Sequence, residues 1–205
     1  MMVEKIVKDA LLSTLAAVGG LFVLMILVLS LLFPSSMIGI TYSLGMEESS
    51  IAYGKAAYRM TKNVYYIAEA LDTAIEIDHE KNIISCGEKL IKDKDFDKYC
   101  EHQAQTKIEG VETSYKNSVY ANLCVALYET NKKDEAINRA FAYTGIGFPK
   151  GNAIFAVALF ALKVDDTQSV QTIVDKMQQM QVEEFSDADK AHFDTILAFI
   201  MKENG

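Results

Sequence analysis

YANLCVALYETNKKDEAINRAFAY, residues 120–143, reads as one helix, a short polar turn and a second helix. A shift of 34 residues lays it on IFAVALFALKVDDTQSVQTIVDKM, residues 154–177. The shift pairs Tyr120 with Ile154, Leu123 with Val157, Cys124 with Ala158, Leu127 with Ala161, Ala136 with Val170 and Ala140 with Val174. Both members of every pair are apolar or small. A self-similar helix–turn–helix at this period marks a repeat architecture, in which one unit cannot bury its apolar face alone and neighbours stack to bury it.

Outward from this pair, helical spacing of apolar residues continues through most of the chain. It places helices near residues 46–60, 64–77 and 80–91, then 115–128, 134–143, 153–164 and 166–180. Gly45 and Asn131 are suited to left-handed stops, and Asp78-His79 marks a turn. Ser186-Asp-Ala-Asp189 is a capping signature that opens a last helix. The glycine-rich stretch 144–152 is a loop. Residues 92–110, KDKDFDKYCEHQAQTKIEG, are polar, with a short helix suggested by Phe96, Tyr99 and Cys100. No strand-like alternation is evident, so the expected fold class is all-α, built from antiparallel helical hairpins.

The other dominant feature is ALLSTLAAVGGLFVLMILVLSLLF, residues 10–33, an apolar run with no charge and no proline. At about 1.5 Å per residue it reaches roughly 36 Å as a helix, enough to cross a hydrocarbon core of about 30 Å. It exceeds a signal-peptide core of roughly 7–15 residues, and no small-x-small cleavage site follows it cleanly. The expectation is an uncleaved single-pass anchor in residues 1–35, with residues 36–205 forming an all-helical domain. Pro34 kinks the chain or opens a new helix there. Lys5 and Lys8 precede the run, and the first positive residue after it is Lys55. The positive-inside rule therefore puts the N-terminus in the cytoplasm and the C-terminal domain outside. Ser13, Ala17 and Gly20 lie on nearly one face, a stripe of small residues on which another transmembrane helix can pack.

At NKKDEAINRA the chain resembles the tetratricopeptide-repeat family, with Ala136 as the small residue that lets two helices approach. YSLGMEESSIAYGKAAY, residues 42–58, resembles the same pattern through Gly45, Ser50 and Ala57. The resemblance covers residues 36–58 and 120–180; residues 63–110 fit a helical hairpin but not the repeat consensus. It implies a curved solenoid whose inner face, made by the first helix of each pair, binds a peptide or a partner helix. The residues it places there are Asn122, Val125, Tyr128, Asn152, Phe155 and Leu159. The carboxylate clamp of some chaperone-binding members is missing, because Ala121 and Val125 occupy positions where polar groups are needed. The rival occupant of this face is the chain's own last helix, residues 188–201.

The formal net charge is −8, and arginine occurs only at Arg59 and Arg139. An acidic chain without a basic stripe argues against nucleic acid as a partner. Three cysteines, Cys86, Cys100 and Cys124, do not make a disulfide framework; they read as small buried hydrophobes, with a Cys86–Cys100 bridge open in an oxidising compartment. Asp93, Asp95 and Asp97 have the opening spacing of a calcium loop, but Lys98 and Ala104 replace its glycine and final glutamate. Cys100 and His102 lack the further pair that zinc needs. GIGFPKG is no phosphate loop, and no nucleophile elbow occurs. The expected protein has no catalytic residues, metal, cofactor or small-molecule substrate. It is expected to be a membrane-anchored adaptor or scaffold binding a protein partner, itself membrane-associated. The alternative is a structural accessory subunit of a membrane complex, contacting its partners mainly through the transmembrane helix.

Overall fold

The computed structural model describes residues 2–108, 111–143, 152–180 and 186–204. Its element order is α1 (Met2–Leu32), α2 (Pro34–Ser43), α3 (Glu47–Thr61), α4 (Val64–Glu76), α5 (Glu80–Leu90), α6 (Phe96–Glu101), β1 (Thr106–Ile108), β2 (Val111–Thr113), α7 (Tyr115–Glu129), α8 (Lys133–Ala142), α9 (Ala153–Lys163), α10 (Thr167–Gln178) and α11 (Asp187–Asn204). The expected loop at 144–152 lies, apart from Asn152, outside the described residues. The chain divides into two compact units, Met1–Ala70 and Leu71–Gly205. The apolar helix shares its unit with α2, α3 and the first half of α4.

Helix pairs α2/α3, α4/α5, α7/α8 and α9/α10 are joined by one and the same turn. Gly45, Asp78, Asn131 and Asp165 each take a left-handed conformation, with φ of 67°, 52°, 64° and 55°. After each of them an amide reaches back five residues: Met46 to Thr41 at 2.9 Å, His79 to Ala74 at 2.9 Å, Lys132 to Leu127 at 3.0 Å and Asp166 to Ala161 at 2.9 Å. The left-handed residue itself reaches back three: Gly45 to Tyr42, Asp78 to Ile75, Asn131 to Tyr128 and Asp165 to Leu162. These paired bonds define the Schellman motif, which satisfies the last carbonyls of the first helix and reverses the chain. Glycine, aspartate and asparagine are the residues that enter this conformation at least cost.

In the first unit α1 and α2 are separated by Phe33 alone. Its backbone (φ −134°, ψ 60°) leaves the helical region, and Pro34 starts α2 where a missing N–H costs nothing. α2 packs on α3 through buried Pro34, Met37 and Thr41. Ser50 donates to Ile38 O at 3.2 Å, and the Tyr53 hydroxyl donates to Ser30 Oγ on α1 at 3.0 Å. α3 meets the first half of α4 at Gly54, where a Cβ would lie 2.9 Å from both Ala70 Cβ and the Tyr66 carbonyl oxygen. No larger side chain fits that crossing without movement.

The second unit has one core running through α7 to α11. The residues paired by the 34-residue shift are its centre: Leu123, Cys124, Leu127, Ala136, Ala140 and their partners Val157, Ala158, Ala161, Val170, Val174, with Ile154, are all buried, while Tyr120 is half-buried. α7 packs on α9 and on α5, α8 on α9, and α10 and α9 on α11. Phe193, Ile196 and Ile200 of α11 close the end of this core. Ser186 caps α11 by accepting the Asp189 amide at 3.2 Å.

The expectation of no strands is corrected. Between α5 and α7, β1 and β2 form an antiparallel ladder pairing Thr106 with Thr113, Lys107 with Glu112 and Ile108 with Val111. Thr106, Ile108, Val111 and Thr113 are β-branched, but three-residue strands are too short to show alternation. The short helix expected from Phe96 and Tyr99 is α6. It lies against α7 through ring pairs Phe96–Tyr120 and Tyr99–Tyr115 and the Asp97–Lys116 ion pair at 2.8 Å.

Candidate functional site

In the second unit a cleft of about 450 Å³ opens along α7. Its floor is Ala121 of α7 and Ala156 of α9, both buried and small enough to leave the space open. Half-buried Ser118, Asn122 and Val125 of α7 rise on one side, with Phe160 of α9 beyond them. Exposed Asp72 and Glu76 of α4 form the acidic edge, and Thr106 of β1 closes the end. Residues 71–76 of α4, with α7 and α9, are each the first helix of a pair.

Hydrogen bonds hold this wall in place. The buried Tyr115 hydroxyl donates to Asp72 Oδ1 at 2.9 Å, locking α4 to the start of α7. Burial and then the adjacent Asp72 carboxylate push the Tyr115 phenol well above its ordinary range, so it remains a donor at any physiological pH. Ser114 caps α7 by accepting the Asn117 amide at 3.3 Å. The Asn122 amide donates to Ser118 O at 2.9 Å, which fixes its rotamer along the cleft. The Thr106 hydroxyl is buried with no hydrogen-bond partner among the described residues, as is Thr113 opposite it in the ladder.

The six residues expected on an inner face separate into three groups. Asn122 and Val125 line the cleft. Phe155 is half-buried and sets its ring edge-on to Phe199 of α11, the centroids 6.2 Å apart. The last helix thus covers that end of the face; Leu159 is half-buried on α9. Tyr128 and Asn152 are buried and make contacts within the fold. Asn152 caps α9, accepting the Phe155 amide at 2.9 Å.

Tyr128 belongs to a staple between hairpins. Its hydroxyl donates to Asp166 Oδ2 at 2.6 Å, and the Lys133 ammonium pairs with the same oxygen at 2.5 Å. Asp166 also caps α10 by accepting the Ser169 amide at 3.1 Å and the Ser169 hydroxyl at 2.9 Å. The Lys133 contact first, then Tyr128 and the Ser169 amide, hold the Asp166 carboxyl well below the usual carboxylate range. Burial and the bond to Asp166 raise the Tyr128 phenol to about 12. Position 34 residues before Asp166 is Lys132, so the 34-residue repeat of apolar positions gives no hint of the staple.

In the first unit, Leu11–Leu32 of α1 is long and apolar enough to cross a membrane. Ser13, Ala17 and Gly20 are all exposed on it, and a Cβ at Gly20 would meet nothing within 4 Å. The small-residue stripe is therefore uncovered by the described residues of this chain.

Among the described residues no group of three or more His, Cys, Asp or Glu side chains is placed to hold a metal ion. Cys86 and Cys124 are buried and Cys100 half-buried, and no disulfide joins them. Burial raises the Cys100 and Cys124 thiols to about 12, leaving them poor nucleophiles. Comparison with family models, curated proteins and solved structures finds no match to this chain.

Proposed function

We propose that this chain is a membrane-anchored adaptor, a tetratricopeptide-like array of helical hairpins held at a bilayer by α1, which binds a protein segment in the α4–α7–α9 cleft. The observation that carries the array reading is the recurrence of one Schellman turn at Gly45, Asp78, Asn131 and Asp165, separated by 33, 53 and 34 residues. The 53-residue step is one period plus the α6–β1–β2 insertion. Residues 63–110, which lack the repeat consensus, thus carry the same turn at the same phase. A 34-residue helical pair is the period of that family.

The cleft combines a small-residue floor, an aromatic end at Phe160 and a few fixed polar groups, the general make-up of a ligand site. Asp72 and Glu76 favour a segment carrying a Lys or Arg side chain. The uncharged helix Leu11–Leu32 spans the bilayer, and Lys5 and Lys8 favour a cytoplasmic N-terminus with the hairpins on the far side.

The uncovered stripe of Ser13, Ala17 and Gly20 favours a second reading, an accessory subunit held to its complex through α1. Co-purification of the full chain in mild detergent separates the two. With Asn122→Arg/Val125→Glu, which fills the cleft, the adaptor reading expects loss of the partner at unchanged helical content. Retention of the partner there, with loss in Ala17→Leu/Gly20→Leu, overturns it in favour of the subunit.

A further inference from the structure

We infer that α2 is a lipid-binding helix lying in the headgroup region of the bilayer, with Phe33, Ile40 and Leu44 turned into it. This rests on the reading of α1 as a span. One face of α2 is already used: Pro34, Met37 and Thr41 are buried against α3. Next to it on the helix surface, Ile40 is 51% and Leu44 69% exposed, and Phe33 at the helix start is 55% exposed. At about 100° per residue Ile40 and Leu44 project within roughly 40° of one another, one turn apart, with exposed Ser35, Ser36, Gly39 and Ser43 on the face away from α3. Met46 is exposed just past the helix end.

The occupant follows from where this face begins. Leu11–Leu32 is 22 residues, about 33 Å of helix, which uses up a hydrocarbon core of about 30 Å. α2 starts one residue beyond Phe33, so its first turn lies at the core boundary, where about 5–8 Å of headgroup region follows. The break at Phe33 means α2 does not simply continue the span. The bond from Tyr53 to Ser30 ties the α2/α3 hairpin back to the last turns of α1. No charged residue occurs from position 10 to position 46; charge returns only with Glu47 and Glu48. The charge-free character of the span thus extends through all of α2.

The test uses the full chain in phosphatidylcholine liposomes containing a tagged lipid, with a benzophenone side chain placed in turn at Val23, Leu44 and Arg59. The expected result is a lipid adduct at Val23 and at Leu44 and none at Arg59, the charged exposed position on α3. A lipid adduct at Val23 with none at Leu44 overturns this inference while leaving the span standing. An adduct at Leu44 to a second copy of the chain also overturns it, showing a homotypic interface. Absence of lipid adducts at both Val23 and Leu44 removes the span and the inference with it.

Discussion

Gly54 and Gly87 occupy the same place, nine residues after the left-handed turn residue of their hairpins, yet alanine should act on them in opposite directions. In a helix interior, Gly→Ala gains about 0.5–1 kcal/mol from reduced backbone entropy alone. At Gly87 the added methyl meets Leu123 side-chain atoms at 3.5–3.7 Å, ordinary van der Waals contact, so that gain is kept. At Gly54 it would lie 2.9 Å from Ala70 Cβ and 2.9 Å from the Tyr66 carbonyl oxygen, and a carbonyl in a helix cannot swing aside as a side-chain tip does. Overpacking of this kind costs about 1–3 kcal/mol. The net expectation is about 0.5–2 kcal/mol lost for Gly54→Ala and about 0.5–1 kcal/mol gained for Gly87→Ala. The chain has two compact units, so one global transition would blur the two effects. Hydrogen exchange followed by mass spectrometry on the full chain in detergent resolves them. Amides of α3 and the first half of α4 should exchange about twofold to thirtyfold faster in Gly54→Ala, and those of α5 and α7 about twofold to fivefold slower in Gly87→Ala. Unchanged or increased protection of α3 and α4 in Gly54→Ala would refute the close helix crossing.

Asp166→Ala removes the α10 cap, worth about 1 kcal/mol, and leaves the buried Tyr128 hydroxyl without its acceptor, at about 1–3 kcal/mol, so urea unfolding of the second unit should show a loss of about 2–4 kcal/mol. The folded Asp166 carboxyl is held below its unfolded value, so its contribution is complete above the usual carboxylate range and is lost as pH falls through and below it. Acid titration should therefore destabilise the native chain more steeply than Asp166→Asn, and parallel curves would count against the staple. Cys124, with its thiol near 12 against about 8.5 for an ordinary one, has roughly three orders of magnitude less thiolate at neutral pH; labelling should be negligible in the native chain and complete in urea, and fast native labelling would contradict its burial.

The helices were legible because the chain keeps one rule throughout. Apolar residues recur at helical spacing, and Gly45, Asp78 and Asn131 stand where the chain must turn left-handed. Residues 63–110 fell outside the resemblance since Asp78 replaces the glycine of the first hairpin, and Ile83 stands where the first and third hairpins have small Ser50 and Ala136. The β-ladder was missed because two three-residue strands are shorter than any periodicity test. Helical spacing along α7 pointed to Asn122 and Val125 of the cleft. Asp72 and Glu76 were not readable, since their α4 belongs to a hairpin without the consensus, and Thr106 comes from the insertion. Tyr128 lies on the helix face that spacing points inward, and only its bond to Asp166 38 residues later shows that it works as a staple.

The most direct test of the account is photo-crosslinking from Val125 in the full chain in its native membrane, with Gly20 and the outward Gln168 as comparison positions. The account predicts a discrete protein adduct from Val125, mapping to a partner segment that carries Lys or Arg, weakened by Asp72→Lys/Glu76→Lys and absent from Gln168. Adducts from Gly20 with none from Val125 would contradict it and leave α1 as the site of assembly.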